Sequence, residues 1–435
     1  MPSDGSSPDV FDPLSTPSPA HELAVECLTA GVRAAQPKRA VERHCDIEGS
    51  TLRIGDGSYD LDAYDSLRIL GGGKAADGLA AALEGLLGER LDGGIVVTGH
   101  RTAAPDRVTV REGNHPSPGP DSVDGATALL ERAEAADGQT LVLAPMTGGG
   151  SALLCAPADG LSAADIRTVT EALLDAGASV DELNAVRRVC SEIKGGGLAA
   201  AAAPATVVGV VMSDVVGDDP AVVASGPTVP VEAAPDVAAT VLDRYGVDAP
   251  AVRRWLSSAT PESPSVAARN HVIASGWDAV DAARAHAAAA GYQTCVLSTH
   301  LEGEAEQSGR FHAAVATDVA LRDVPVEPPA VILSGGETTV SVSGDGVGGP
   351  NMEFALAAAP KLPDEAVVGA VDTDGSDGST DAAGALVDAD TVDPQVARTA
   401  LDENDSYRAL ADAGALLFSG STGTNVNDLR VVVVD

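Results

Sequence analysis

Short apolar runs rich in valine, isoleucine and leucine recur along this chain, separated by alanine-rich stretches of helical period. Residues 67–70, 94–98, 140–144 and 206–212 lack polar alternation, which is the mark of strands buried on both faces. A helix is predicted from residue 75 through Leu87, and another opens at Ser162, with Asp165 as its capping-box partner. A third is predicted over 181–194. The pattern pauses at Thr260-Pro261-Glu262-Ser263-Pro264-Ser265, which reads as a linker. It then restarts, with strands predicted at 270–275, 293–298, 331–334, 338–343, 367–371 and 429–434. Helices are predicted at 277–290, 302–321 and 351–362. Such alternation predicts an α/β fold. The expected divisions are a loose tail over 1–20, a larger domain over 21–262 and a smaller α/β domain over 263–435.

Length changes little in this picture: 435 residues suit two domains with sizeable cores. Hydrophobic residues make up 44% but aromatics only 3%, so alanine, valine and glycine must fill the interior. The formal net charge of -37 is dispersed and forms no acidic tail, which reads as adaptation to concentrated salt. At about 1 M salt the Debye length falls to ~3 Å and the self-repulsion is screened. No basic patch suits nucleic acid, and no apolar run is long enough for a membrane span. Five scattered cysteines without a C-x-x-C pair, and no signal pattern at the start, point to a reducing cytoplasm.

Lysine is nearly discarded. Only Lys38, Lys74, Lys194 and Lys361 remain, and two of them sit in glycine-rich turns. A compact ammonium beside bare amides suits a phosphate or another oxyanion. Gly71-Gly72-Gly73-Lys74 joins a predicted strand to a helix, which makes it a candidate anion site. It fits the loose dinucleotide fingerprint. The next strand, however, ends Thr98-Gly99-His100, without the acidic residue that would hold a ribose. Thr147-Gly148-Gly149-Gly150-Ser151 is a second glycine turn after a strand. On the helix predicted at 181–194, Asn184, Arg187, Ser191 and Lys194 form a polar stripe that ends at Gly195-Gly196-Gly197.

Carboxylates gather at other predicted strand ends. Asp214 follows one strand, as a metal ligand, a base or merely a cap. Glu337 stands after Gly335-Gly336, where packing gives it no purpose. Asp372, Asp374, Asp377 and Asp381 crowd one loop, a composition suited to a divalent cation with oxygen ligands but not an EF-hand. Asn425 lies in a small polar loop before the last strand. His115 lies between prolines and reads equally as structural or catalytic.

Taken in order, GGGKAA, EGNHPSPGP, TGGGSALL, NAVRRVCSEIKGGG, MSDVVGDDP, ASGPT, SGGETTV, GGPNMEFALAA, DTDGSDGSTDAAGA and GTNVNDL resemble the two-domain glycerate 2-kinases with a C-terminal MOFRL domain. The resemblance covers nearly all of the chain after residue 20. It implies a Rossmann-like N-terminal domain, a smaller α/β domain, and an active site in the cleft between them. It also implies transfer of a phosphoryl group from ATP, with Mg²⁺, to the 2-hydroxyl of D-glycerate. Lys74, Asp214, Glu337, Asp374 or Asp377, and Asn425 match the family's cleft residues. Gly72, Gly73, Gly149, Gly150, Ser151, Lys194 and Asn425 are the expected nucleotide contacts, and Asp214, Asp374 and Asp377 the expected metal ligands. One departure is Pro350, where the family usually has an arginine. The role of that arginine then falls to Arg187, Arg188 or Lys194. Two other readings stay open: an NAD(P)H-dependent hydroxypyruvate reductase, and a nucleotide or metabolite sensor without turnover. Oligomeric state is open as well.

Overall fold

A computed structural model describes residues 10–12, 17–232, 234–259 and 268–435. The linker expected at 260–265 and most of the expected N-terminal tail lie outside the described residues. The chain forms two compact units, residues 40–274 and residues 1–39 with 275–435.

The unit 40–274 is built on six parallel strands: Ser66–Gly72, Gly93–Thr98, Val108–Glu112, Thr140–Met146, Thr206–Met212 and Arg269–Ala274. Across the sheet they lie third, second, first, fourth, fifth, sixth in chain order. This is the order of doubly wound nucleotide-binding sheets. Thr140–Met146 is buried along its whole length, and Thr206–Met212 is buried from Val207 onward. Branched aliphatic side chains on both faces, covered by helices, account for these strands. A small antiparallel meander, Cys45–Glu48, Thr51–Ile54 and Gly57–Asp60, precedes the sheet.

Capping boxes start two of the helices in this unit. Ser162 with Asp165 opens Ala163–Asp175, as the sequence predicts, and Ser179 with Glu182 opens Val180–Val189. The second helix is shorter than expected. It ends at Val189, and Lys194 lies beyond it in a turn, so the polar stripe ending at Lys194 does not exist as a helical face.

The other unit holds a mixed sheet in the order Gln293–Leu301, Ala330–Gly336, Asp428–Val434, Ala366–Asp372, Gly384–Asp388, Leu416–Leu417. The first two strands are parallel and the remaining pairs antiparallel. Residues 338–343 are not the predicted strand. Glu304 and Asn404 take the amides of Ser341 and Ser343 through their side chains, so those groups are lost to a ladder. The helix expected at 351–362 is Pro350–Ala358, followed by a single tighter turn at Ala359–Lys361.

The units part at other places than the sequence pattern indicates. The helix Pro19–Ala34 turns Leu23, Ala24, Cys27, Leu28 and Val32 inward, and it packs on Gly276–Ala289 and on the last strand. A Cβ on Gly31 would stand 2.3 Å from Leu429 Cδ2 and 2.8 Å from the Ala279 carbonyl, so the close packing depends on that glycine. Conversely, Arg269–Ala274 pairs with Thr206–Met212 and completes the parallel sheet. Among the described residues, no helix is long and apolar enough to cross a membrane.

Candidate active site

In the parallel sheet, Ser66–Gly72 and Thr140–Met146 are adjacent and lie where the strand order reverses. In doubly wound sheets such a point is where ligands bind, outside the carboxyl ends of the strands. Both ends carry glycine turns, and the turns are tied together. The Lys74 amide donates to the Gly148 carbonyl at 2.7 Å, and the Thr147 amide to the Gly72 carbonyl at 3.2 Å. The Ala75 amide donates to Thr147 Oγ1 at 3.1 Å. Gly73 (φ 137°) needs its freedom, because a Cβ there would sit 2.2 Å from Thr147 Oγ1.

The glycines at 148 and 149 mark where side chains converge. A Cβ on Gly148 would stand 2.1 Å from Asp214 Oδ2. One on Gly149 would stand 2.9 Å from Lys74 Cγ and 3.1 Å from His115 Nε2. Lys74, Asp214 and His115 therefore all lie against one bare stretch of backbone. Gly72, Gly73, Gly149 and Gly150 belong to the same paired turns.

Ser151 Oγ is 2.7 Å from Ser225 Oγ, and Ser225 donates to Asn184 Oδ1 at 2.8 Å. The segment Ala224-Ser225-Gly226 is left-handed at three successive residues, with φ 52°, 64° and 69°. Two of these are not glycine, a strain of the kind found near functional sites. Lys194 is 5% exposed, and its Nζ donates to the Leu154 carbonyl at 2.7 Å. Burial pushes its pKa down to about 8, with the Arg187 charge adding to the effect. Lys194 is thus buried against the Leu154 carbonyl, at the end of the short helix Gly150–Leu153, and is not an open phosphate contact.

In the mixed sheet, Gly336 and Asp372 both stand opposite Asp428, so three strand ends meet at one edge. Glu337 is exposed there, Asp374 is half-buried, and Asn425 is half-buried with its Oδ1 accepting from the Asn427 amide. Asp372 is pushed well above the ordinary carboxylate range, by burial first and then by the charges of Asp374, Asp428 and Asp377.

Asp377 does not stand as the sequence suggests. It is 1% exposed, its Oδ1 accepts from the Asn351 amide at 3.0 Å, and its Oδ2 accepts from the Met352 amide at 2.8 Å. Both oxygens cap the start of the helix Pro350–Ala358 and the carboxyl is closed off from solvent, so it is not placed as an open metal ligand or base. Burial raises its pKa to about 7, against the lowering effect of those amides.

Asp428, Asn351 and Arg430 escape the sequence reading. Asn351 Nδ2 donates to Asp428 Oδ1 at 2.6 Å, and Arg430, which is fully buried, donates to Asp428 Oδ2. The Arg430 guanidinium lies 5.0 Å above the Phe354 ring centre. The only sequence signal for this network is an acid and an arginine two residues apart on a strand otherwise rich in valine.

The chain matches two families: one described as a domain of unknown function, DUF4147, over residues 23–257, and the MOFRL family over 330–428. A D-glycerate 2-kinase of Thermotoga maritima is 37% identical over 98% of this chain and all of its own length. The crystal structure of a Thermotoga maritima glycerate kinase superposes with a TM-score of 0.83, covering 95% of this chain and 99% of that one. This chain belongs to the glycerate 2-kinase family. A Pyrococcus horikoshii crystal structure is likewise similar, at 34% identity and a TM-score of 0.81, over 97% of this chain and 99% of that one. The family also includes proteins under another name. An Agrobacterium vitis protein called a putative hydroxypyruvate reductase is 40% identical over 84% of this chain and 86% of its own.

Proposed function

We propose that this chain phosphorylates D-glycerate at its 2-hydroxyl with ATP, giving 2-phosphoglycerate and ADP. The observation that carries the proposal is the meeting of Lys74 and Asp214 on Gly148-Gly149 at the switch point of a parallel sheet. Phosphoryl transfer asks for positioning and charge neutralisation more than for covalent chemistry. Lys74 Nζ is assigned to the oxygens of the transferred phosphoryl group; the amides of Gly73, Lys74, Ala75 and Thr147 already donate within the protein and are not part of that contact. Asp214 accepts the proton of the attacking hydroxyl. The hydroxyl oxygen bonds to the γ-phosphorus as the bond from that phosphorus to the β–γ bridging oxygen breaks, and ADP leaves. In the mixed-sheet unit, Glu337 and Asn425 are assigned to substrate hydroxyls.

Among the described residues, no group of three or more histidines, cysteines or carboxylates could hold a metal alone. Mg²⁺ in kinases is usually held by only one or two carboxylates together with phosphate oxygens. Asp372 and Asp374 would suit that demand, because they bring carboxylate oxygens two residues apart to the end of the strand Ala366–Asp372. Asp377 does not, since it is buried with both oxygens on the helix start. Held by Asp372 and Asp374, Mg²⁺ would supply positive charge for phosphate oxygens.

The reductase reading draws on the Agrobacterium vitis name. Against it, the strand Gly93–Thr98 ends without an acid, and the Thr98 hydroxyl already donates to the Lys74 and His100 carbonyls. The carboxylate that holds a ribose in dinucleotide-binding sheets is absent there. The deciding assay supplies D-glycerate, ATP and Mg²⁺ in multimolar KCl and couples the product to enolase without phosphoglycerate mutase. Signal there supports the proposal, and signal only after mutase is added would mean phosphorylation at the 3-hydroxyl. No signal with either, together with NADH oxidation by hydroxypyruvate, would replace the kinase reading.

A further inference from the structure

Arg187 and Arg188 are neighbours on one helix but live differently. Arg188 donates from Nη2 to the Ala221 carbonyl at 2.6 Å and feels the charges of Asp181 and Asp219. Arg187 is half-buried, yet its side chain makes no hydrogen bond or ion pair with any described residue. This chain carries 64 acidic residues against 27 basic ones, so a cation without a carboxylate partner is not a matter of scarcity. Burial alone depresses the Arg187 pKa, and no counter-charge opposes it. Its charge instead falls on another cation, the buried Lys194. Two like charges held together away from water are unfavourable unless an anion joins them.

The position tells where such an anion would sit. Asn184, one turn earlier on the same face, accepts from Ser225, which is bonded to Ser151. Lys194 reaches the Leu154 carbonyl. Both contacts fall on the short segment that leaves the carboxyl end of Thr140–Met146, and Arg187 shares that helix face and that cation neighbour. A planar guanidinium suits two oxygens of one carboxylate or phosphate.

We infer that Arg187 is an oxyanion-binding residue of this site, taking either the carboxylate of the acceptor or a phosphate of the nucleotide. The assignment of those two ligands rests on the kinase reading. The binding itself is tested apart from activity.

The experiment compares wild-type protein with Arg187→Met and Arg187→Lys in multimolar KCl. Calorimetric titrations with ADP and with D-glycerate are run beside steady-state kinetics. Loss of a charge-assisted pair should weaken one ligand by about tenfold or more in both Kd and KM, and Arg187→Lys should recover part of the loss. A shift confined to D-glycerate identifies the carboxylate, and one confined to ADP and ATP identifies the phosphate. Changes under about twofold for both ligands, in protein that keeps its melting temperature, would overturn the inference. If Arg187→Met does not fold, Arg187→Lys decides alone, because the fork is lost while the charge stays. If the wild type binds ADP but does not phosphorylate glycerate, the kinase reading fails while the ADP titration still tests Arg187.

Discussion

The Lys74 amide and the Gly148 carbonyl are hydrogen-bonded at 2.7 Å, which makes two turns some seventy residues apart in sequence into one unit. The bond uses backbone only, so it survives removal of the Lys74 side chain. Lys74→Ala should therefore leave the melting temperature almost unchanged. It should lower kcat/KM by about 10²–10³, the usual loss for one preorganised charge donor. Thermal unfolding and the enolase-coupled assay check both halves, and near wild-type kcat/KM would remove Lys74 from the reaction.

Gly148→Ala probes the same turn from the other side. The added methyl would lie 2.1 Å from Asp214 Oδ2, so the carboxylate has to move. Misplacing a reacting group by about 1 Å can cost ~10²-fold in rate. The expected result is a fall in kcat larger than any rise in the KM of either substrate. An unchanged kcat would mean that Asp214 need not stand where it does.

These turns were legible in the sequence because glycine and lysine are chemically loud. A lysine-poor chain that keeps Lys74 and Lys194 beside glycine triplets marks both places, and unbroken valine runs mark the strands that end there. What such patterns do not carry is direction. Lys194 looks like the end of a helical polar face, but the helix stops at Val189 and the side chain turns inward to Leu154. Asp377 looks like Asp374, its near neighbour in the same loop, yet one caps a helix and the other does not. Asp428 and Arg430 hide in an apolar strand, where only tertiary pairing gives them a role. The meander at residues 45–60 escaped for a simpler reason: each strand is 4 residues long, too short to show a period.

Lys194 should cost stability. Its folded pKa of about 8 lies below the unfolded value of ~10.4, so between these pH values the unfolded chain binds more protons. Wild-type stability should therefore rise with pH across that window. Lys194→Met removes the buried charge but also the bond to Leu154. At pH 7 the variant should be more stable by roughly 1–2 kcal/mol, a gain that shrinks as pH climbs through 8 toward 10.4. Urea midpoints at pH 7 and pH 10 test this. A variant less stable than wild type at pH 7 would show that the turn needs Lys194 more than burial penalises it.

Asp377 gives the opposite slope. Its folded pKa of about 7 lies above the ~3.9 of an unfolded aspartate, so the folded chain binds the extra proton between those values. The contribution to stability is full below about pH 4 and is lost as pH rises through 7. High salt does little to blunt this, because the carboxyl is buried and partnered by the Asn351 and Met352 amides. Asp377→Asn abolishes the titration, keeps one acceptor oxygen for those amides, and loses the other. The difference in stability, wild type minus variant, should then fall by roughly 2–4 kcal/mol between pH 4 and pH 7.5. Kinetics separate this structural role from a catalytic one. With its oxygens on the helix start, Asp377→Asn should lower kcat/KM by far less than Lys74→Ala wherever the variant is fully folded. Parallel stability curves across that pH range, or a loss of activity equal to that of Lys74→Ala in folded protein, would move Asp377 back among the reacting groups.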